Sequence, residues 1–131
     1  MRQEALTHQI IGCAMKVHSF LGSGFPEVIY QRALGIEFEK QLLFNKREMA
    51  MDIFYDGTKI GTRRVDFFVE NEIMVELKAV SQLDDAHLSQ SINYLEAYNL
   101  AIGLLINFGS RSLEFKRIYN TKHIDNRDYK K

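Results

Sequence analysis

The 131-residue chain is the length of one domain, which usually takes roughly 100–200 residues, and its 46% hydrophobic and 26% charged composition excludes a disordered or collagen-like protein. Lys and Arg number 17 and Asp and Glu also number 17. That balance gives no global attraction for nucleic acid or an anionic membrane, so a polyanionic partner must be held by a local patch or a metal.

In chain order, Ile10, Ile11, Ala14, Met15, Val17 and Leu21 recur at helical spacing and predict a first helix from Leu6 to Leu21, closed by Gly22-Ser23-Gly24. Pro26 suits a first helical turn, and a second helix is expected from Pro26 to Gln41, with Ile29, Ala33, Ile36 and the stem of Lys40 as its stripe and Leu34 and Phe38 widening it. The period then changes to two. Met49, Met51, Ile53 and Tyr55 alternate with polar neighbours, Asp56-Gly57 signals a hairpin, and a return strand runs from Lys59 to Glu70. After a turn at Asn71-Glu72, a third strand from Ile73 to Val80 puts Ile73, Val75, Leu77 and Ala79 on one face and Met74, Glu76, Lys78 and Val80 on the other.

Asp84 or Asp85 can cap a third helix reaching Asn99, with Leu88, Ile92 and Leu95 buried. Ala101 to Asn107 reads as a strand covered on both faces, and Leu113 to Tyr119 as an edge strand. The tail from Asn120 to Lys131 is polar and expected to be loose. A strand that follows a crossover helix normally joins the sheet parallel to its predecessor. The expected fold is therefore α/β: a single domain spanning residues 1–131, with a mixed sheet made of a three-strand antiparallel meander, a crossover helix and further strands, flanked by helices.

Cys13, the one cysteine, excludes a disulfide scaffold and a multi-cysteine zinc site, and with nothing nearby to activate it reads as packing. The opening MRQEALTHQ lacks an apolar signal core, and no run approaches the roughly 18 apolar residues of a membrane helix. A soluble protein in a reducing cytoplasm, without a membrane partner, is the expectation.

Charge placed inside the meander carries the chemistry. Glu76 and Lys78, two apart on a strand, share a face, and the carbonyl of Leu77 lies between them. Asp66 joins them only if an odd-numbered loop or a bulge near Asn71 replaces a plain two-residue turn. Two carboxylates, a carbonyl oxygen and an ammonium would then surround one point, a donor set suited to Mg²⁺ or Mn²⁺. Lys78 could orient or deprotonate an attacking water, or offset charge on a phosphoryl group. On the third helix, Gln90 and Tyr94 lie one turn apart with His87 on the same stripe. They either face the site or, equally, serve as a strand-end cap and a groove filler. Glu27 and Tyr30 make a similar pair on the second helix, where Glu27 could equally complement the helix dipole.

The segment from Gly24 to Tyr30, with Val65 to Glu70, Val75 to Val80, His87 to Leu95 and Gly103 to Gly109, resembles the GxxExxY protein family, placed in the RecB-like branch of the PD-(D/E)XK nuclease superfamily. The match covers nearly all of the chain except its two ends. It departs at Phe25-Pro26, where the family commonly carries Leu, a change expected to affect only the helix entry. The resemblance implies a restriction-endonuclease-like fold and a metal site formed by Glu27, Asp66 and Glu76, with Lys78 as the catalytic lysine. It also matches Gln90 and Tyr94 to a QxxxY element that supports the site and the substrate phosphate.

The function expected is a Mg²⁺- or Mn²⁺-dependent nuclease acting on nucleic acid, with DNA ranked ahead of RNA. The competing readings are a catalytically silent nucleic-acid-binding or accessory protein with the same fold, and an interaction module whose charges are merely paired. A homodimer is one way for so small a neutral chain to assemble a binding channel. His8, His18 and His123 lack obvious partners, and Arg63-Arg64, Lys116-Arg117 and Lys130-Lys131 are basic pairs that could track phosphates.

Overall fold

A five-stranded sheet in the order β1-β2-β3-β4-β5 divides the molecule into two helical layers. The structure is a computed structural model and describes residues 2–126. Its elements are α1 (Arg2–Leu21), α2 (Glu27–Lys40), β1 (Asn45–Tyr55), β2 (Thr58–Val69), β3 (Ile73–Lys78), α3 (Asp85–Ala97), β4 (Ile102–Asn107) and β5 (Glu114–Tyr119). The mixed α/β architecture is the one expected: β1, β2 and β3 form an antiparallel meander, α3 crosses over, and β4 returns parallel to β3 with β5 antiparallel beside it. The Lys130-Lys131 pair lies outside the described residues.

Leu6, Ile10, Cys13, Ala14 and Val17 of α1 pack with Tyr30, Leu34 and Phe38 of α2 over one sheet face, against Phe67, Val75, Leu77, Leu104 and Ile106. On the other face Leu95 of α3 meets Val65, Met74, Leu105 and Ile118. Every residue of β4 is buried, as befits a strand covered on both sides.

Two helical stripes differ from expectation. On α2 the buried residues are Tyr30, Gln31, Leu34, Glu37 and Phe38, while Ile36 is exposed. The Phe38 ring meets Phe67 edge-on at 5.0 Å and turns the helix toward that stripe. On α3, Ser91 and Leu95 face the core, Leu88 is half-buried and Ile92 is exposed. Of the tail, residues 127–131 lie outside the described residues, and the described part, 120–126, is tied down further than its polarity suggested. Asn120 and Asn126 are buried, the Asn120 amide donates to the Ala101 carbonyl, and the Asn126 side chain donates to the carbonyls of Ala101 and Asn120.

The β1–β2 arm turns at Asp56-Gly57, both left-handed (φ 50° and 77°), as a tight two-residue hairpin requires. β2 pairs with β3 only from Phe67 to Val69, so most of the arm runs past the central sheet.

Candidate active site

The β2–β3 connection contains Glu70, Asn71 and Glu72, because Val69 pairs with Ile73. Glu70 and Asn71 both take left-handed backbone (φ 53° and 55°). Continued by one residue past the Phe67–Val75 pair, this register sets Asp66 opposite Glu76. The strands part there, and the Asp66 carboxylate occupies the gap. Its Oδ2 accepts from the Leu77 amide at 2.7 Å and its Oδ1 from Gln31 Nε2 at 2.9 Å. A side chain thus takes up an amide that a continued strand ladder would have satisfied.

Glu76 is buried, and its Oε1 has no hydrogen-bond partner among the described residues. Burial first, and then the charge of Asp66, push its pKa up to about 8, against the pull of Lys78, the Asp66 backbone amide and Arg63. Burial likewise raises Asp66, opposed by the Leu77 amide, Gln31 and Lys78.

Glu27 opens α2 after Pro26. The residue as a whole is exposed, yet partial burial of its carboxyl and the Asp66 charge raise its pKa while Lys78 lowers it. Tyr30 holds this corner in place. Buried and stacked on Phe108 at 4.7 Å, it donates its hydroxyl to the Gly22 carbonyl and accepts from the Phe25 amide at 3.1 Å.

Lys78 therefore lies within electrostatic reach of Glu27, Asp66 and Glu76 together. Its backbone is pinned at the end of β3, where the Phe108 amide donates to its carbonyl at 2.8 Å. The buried Asn107 side chain clamps the next turn, accepting from the Val80 amide (3.0 Å) and donating to the Val80 carbonyl (2.9 Å). Gly109 fits beneath because a Cβ there would collide with the Val80 backbone.

Sequence reasoning and structure meet unevenly around this cluster. Leu77 contributes its amide to Asp66. Gln90 is exposed on α3, one turn before the half-buried Tyr94, whose ring lies 5.1 Å beneath the Arg63 guanidinium and stacks with Tyr98 at 6.3 Å. His87 completes a reciprocal capping box with Asp84, and His18 bonds the Ser110 carbonyl at 3.0 Å, so both have structural employment. Of two further neighbours of the carboxylates, Gln31 escaped the site reading, whereas Arg63 was offered by the sequence as half of a basic pair able to track phosphates. Gln31 was detectable as the residue one turn after Glu27, on the same helix face.

Among the described residues no three His, Cys, Asp or Glu side chains converge into a ready metal cage. The donor set nonetheless suits a hard divalent cation: Glu76 has a buried carboxylate oxygen without a partner and feels the charge of a second carboxylate, Asp66, and a cation would satisfy the first while relieving the repulsion between them.

A mixed sheet that brings an Asp and a Glu-x-Lys together where two antiparallel strands part defines a restriction-endonuclease-like protein. Residues 4–118 match the family model of the PD-(D/E)XK nuclease superfamily, and the chain belongs to that superfamily. The solved structure of SSO0001 is similar in fold, with a TM-score of 0.58 and 19% identity over 78% of this chain and 53% of that one. The chain thus spans about half the length of that relative. No curated protein matches the chain. Among the described residues no helix is long and apolar enough to cross a membrane.

Proposed function

We propose that the protein is a divalent-metal-dependent nuclease of the GxxExxY type, within the RecB-like branch, that hydrolyses phosphodiesters of nucleic acid in the cytoplasm. DNA is the first substrate to test and RNA the second. The observation that carries this reading is the buried Glu76 carboxylate, with one unsatisfied oxygen, set against Asp66 and within reach of the Lys78 charge. Folding alone gives no reason for that arrangement, since the like charges and the lost hydration both disfavour it.

Asp66, Glu76 and Glu27, with the Leu77 carbonyl, are the proposed metal ligands. The ion, Mg²⁺ or Mn²⁺, supplies Lewis acidity and offsets the charge of the phosphodiester. Lys78 holds the attacking water and takes part in its deprotonation, or stabilises the developing negative charge. Gln90 and Tyr94 steady Lys78 or the substrate strand. Gln31 and the Leu77 amide fix the Asp66 carboxylate by hydrogen bonds and leave its orientation little freedom.

The test is a cleavage assay over single- and double-stranded DNA and RNA with Mg²⁺ or Mn²⁺, run beside Lys78→Ala. The variant should fold and retain its metal-induced rise in melting temperature, while cleavage falls on the order of a hundredfold or more. Equal cleavage by variant and wild type refutes the mechanism. Binding without cleavage by the wild type, left unchanged in Lys78→Ala, establishes a silent accessory protein instead. Sedimentation of the same sample decides whether the working unit is a homodimer.

A further inference from the structure

We propose that Arg63, propped on the ring of Tyr94, binds a backbone phosphate of the nucleic acid strand whose neighbouring linkage lies at the carboxylate cluster; the inference rests on the nuclease reading above. Arg63 is exposed on β2, and its guanidinium sits over the Tyr94 ring at 5.1 Å. It stands three residues before Asp66, about 10 Å along an extended strand. With its backbone at that spacing and its guanidinium held over Tyr94 instead of paired with a carboxylate, Arg63 is assigned the phosphate next to the one under attack.

The surrounding cations show why this arginine is distinct. On the same arm, Lys59 is paired with Asp52 at 3.3 Å, and Arg64 turns Nη1 to the Glu48 carbonyl at 3.4 Å. Among the described residues Arg63 has no ion-pair partner, and its one specific contact is the aromatic face. A guanidinium held over an aromatic ring with no carboxylate partner keeps N–H groups available to donate to two phosphate oxygens at once. Tyr94 in turn stacks with Tyr98, whose hydroxyl reaches the Met51 carbonyl at 3.4 Å, so the prop is anchored to both α3 and β1. Holding the side chain in place before binding lowers the ordering cost when the ligand arrives.

Proximity to the chemistry is the second observation. Besides Lys78, Arg63 is the cation whose charge reaches Glu76. In a chain with no net charge to attract a polyanion, a fixed guanidinium beside the site supplies the local positive potential that substrate capture requires. Tyr94 is then a positioning residue, acting through Arg63.

Binding of fluorescein-labelled DNA oligonucleotides, single-stranded and duplex, followed by anisotropy in Ca²⁺ between about 50 and 200 mM salt, tests the proposal. Arg63→Ala should weaken binding roughly five- to tenfold and reduce the slope of log affinity against log salt by about one, while the melting temperature falls by only a few degrees as the ring contact is lost. Arg63→Lys should retain the slope but recover only part of the affinity, because an ammonium neither stacks as well nor presents a fork. Tyr94→Ala should weaken binding while Tyr94→Phe, which keeps the ring, should not. Arg63→Gln provides the same reading should the alanine variant fold poorly. Wild-type binding with unchanged affinity and slope in both Arg63→Ala and Arg63→Gln overturns this inference alone. A wild type that neither binds nor cleaves any nucleic acid overturns it together with the nuclease reading.

Discussion

Glu76→Gln is the substitution whose effect the structure specifies most closely. The folded protein holds the Glu76 pKa at about 8, above its ordinary value of 4.5, and so favours the protonated acid. The favourable contribution is complete below the unfolded value and is lost as pH rises through the folded one. Between 4.5 and pH 7 the loss accumulates at about 1.4 kcal/mol per pH unit, or about 3 kcal/mol by neutrality. Glutamine retains the shape, carries no charge and can donate toward Asp66. Without metal, Glu76→Gln should therefore match the wild type near pH 4.5 and exceed its stability by about 3 kcal/mol at pH 7, roughly 10 °C in melting temperature for a domain of this size. Thermal melts of both proteins across pH 4.5 to 8, in chelator and then in Mg²⁺ or Mn²⁺, measure it. Metal should narrow the gap by stabilising the wild type and leaving the variant nearly unmoved. If the two melting curves shift in parallel with pH, Glu76 titrates normally and the argument for a strained carboxylate fails.

Asp66→Ala should act in the opposite direction, costing about 1–3 kcal/mol without metal because the Leu77 amide and Gln31 lose a charged acceptor, a difference that urea denaturation will resolve. Gly109→Ala should destabilise by about 3 kcal/mol or more and reduce cleavage as well, since the Val80 backbone must move and takes the end of β3 and Lys78 with it; melts and cleavage assays on the same preparation check both effects.

The meander, the Asp56-Gly57 turn, the crossover helix and the buried fourth strand were legible because period, punctuation and length agreed at each place. The second helix was less so. It carries two apolar stripes at helical spacing, Ile29-Ala33-Ile36 and Tyr30-Leu34-Phe38, and partners far along the chain, the Phe67 and Phe108 rings among them, select the second. The site divided in the same way. Glu76 and Lys78 were placed together by strand period alone, whereas bringing in Asp66 needed a three-residue turn with two left-handed residues, neither of them glycine. Gln31 is a common surface residue type on helices, so its burial on Asp66 left only a faint trace. The link between Arg63 and Tyr94 left none, since side chains on different elements meet only once the chain has folded.

The two carboxylates at the parting of the strands respond oppositely to neglect. Asp66 ties a loose amide to a helix and would be retained for architecture even in a protein that had abandoned chemistry. Glu76 feels the Asp66 backbone amide but ties no helix to the sheet, and each generation that keeps it accepts a less stable fold at neutral pH. Random drift should therefore erase Glu76 well before Asp66. A retired member of this lineage would be expected to show a lone aspartate and an amide or apolar residue opposite, so the wear pattern at this pair can distinguish idle copies from working ones when chains of this kind are compared.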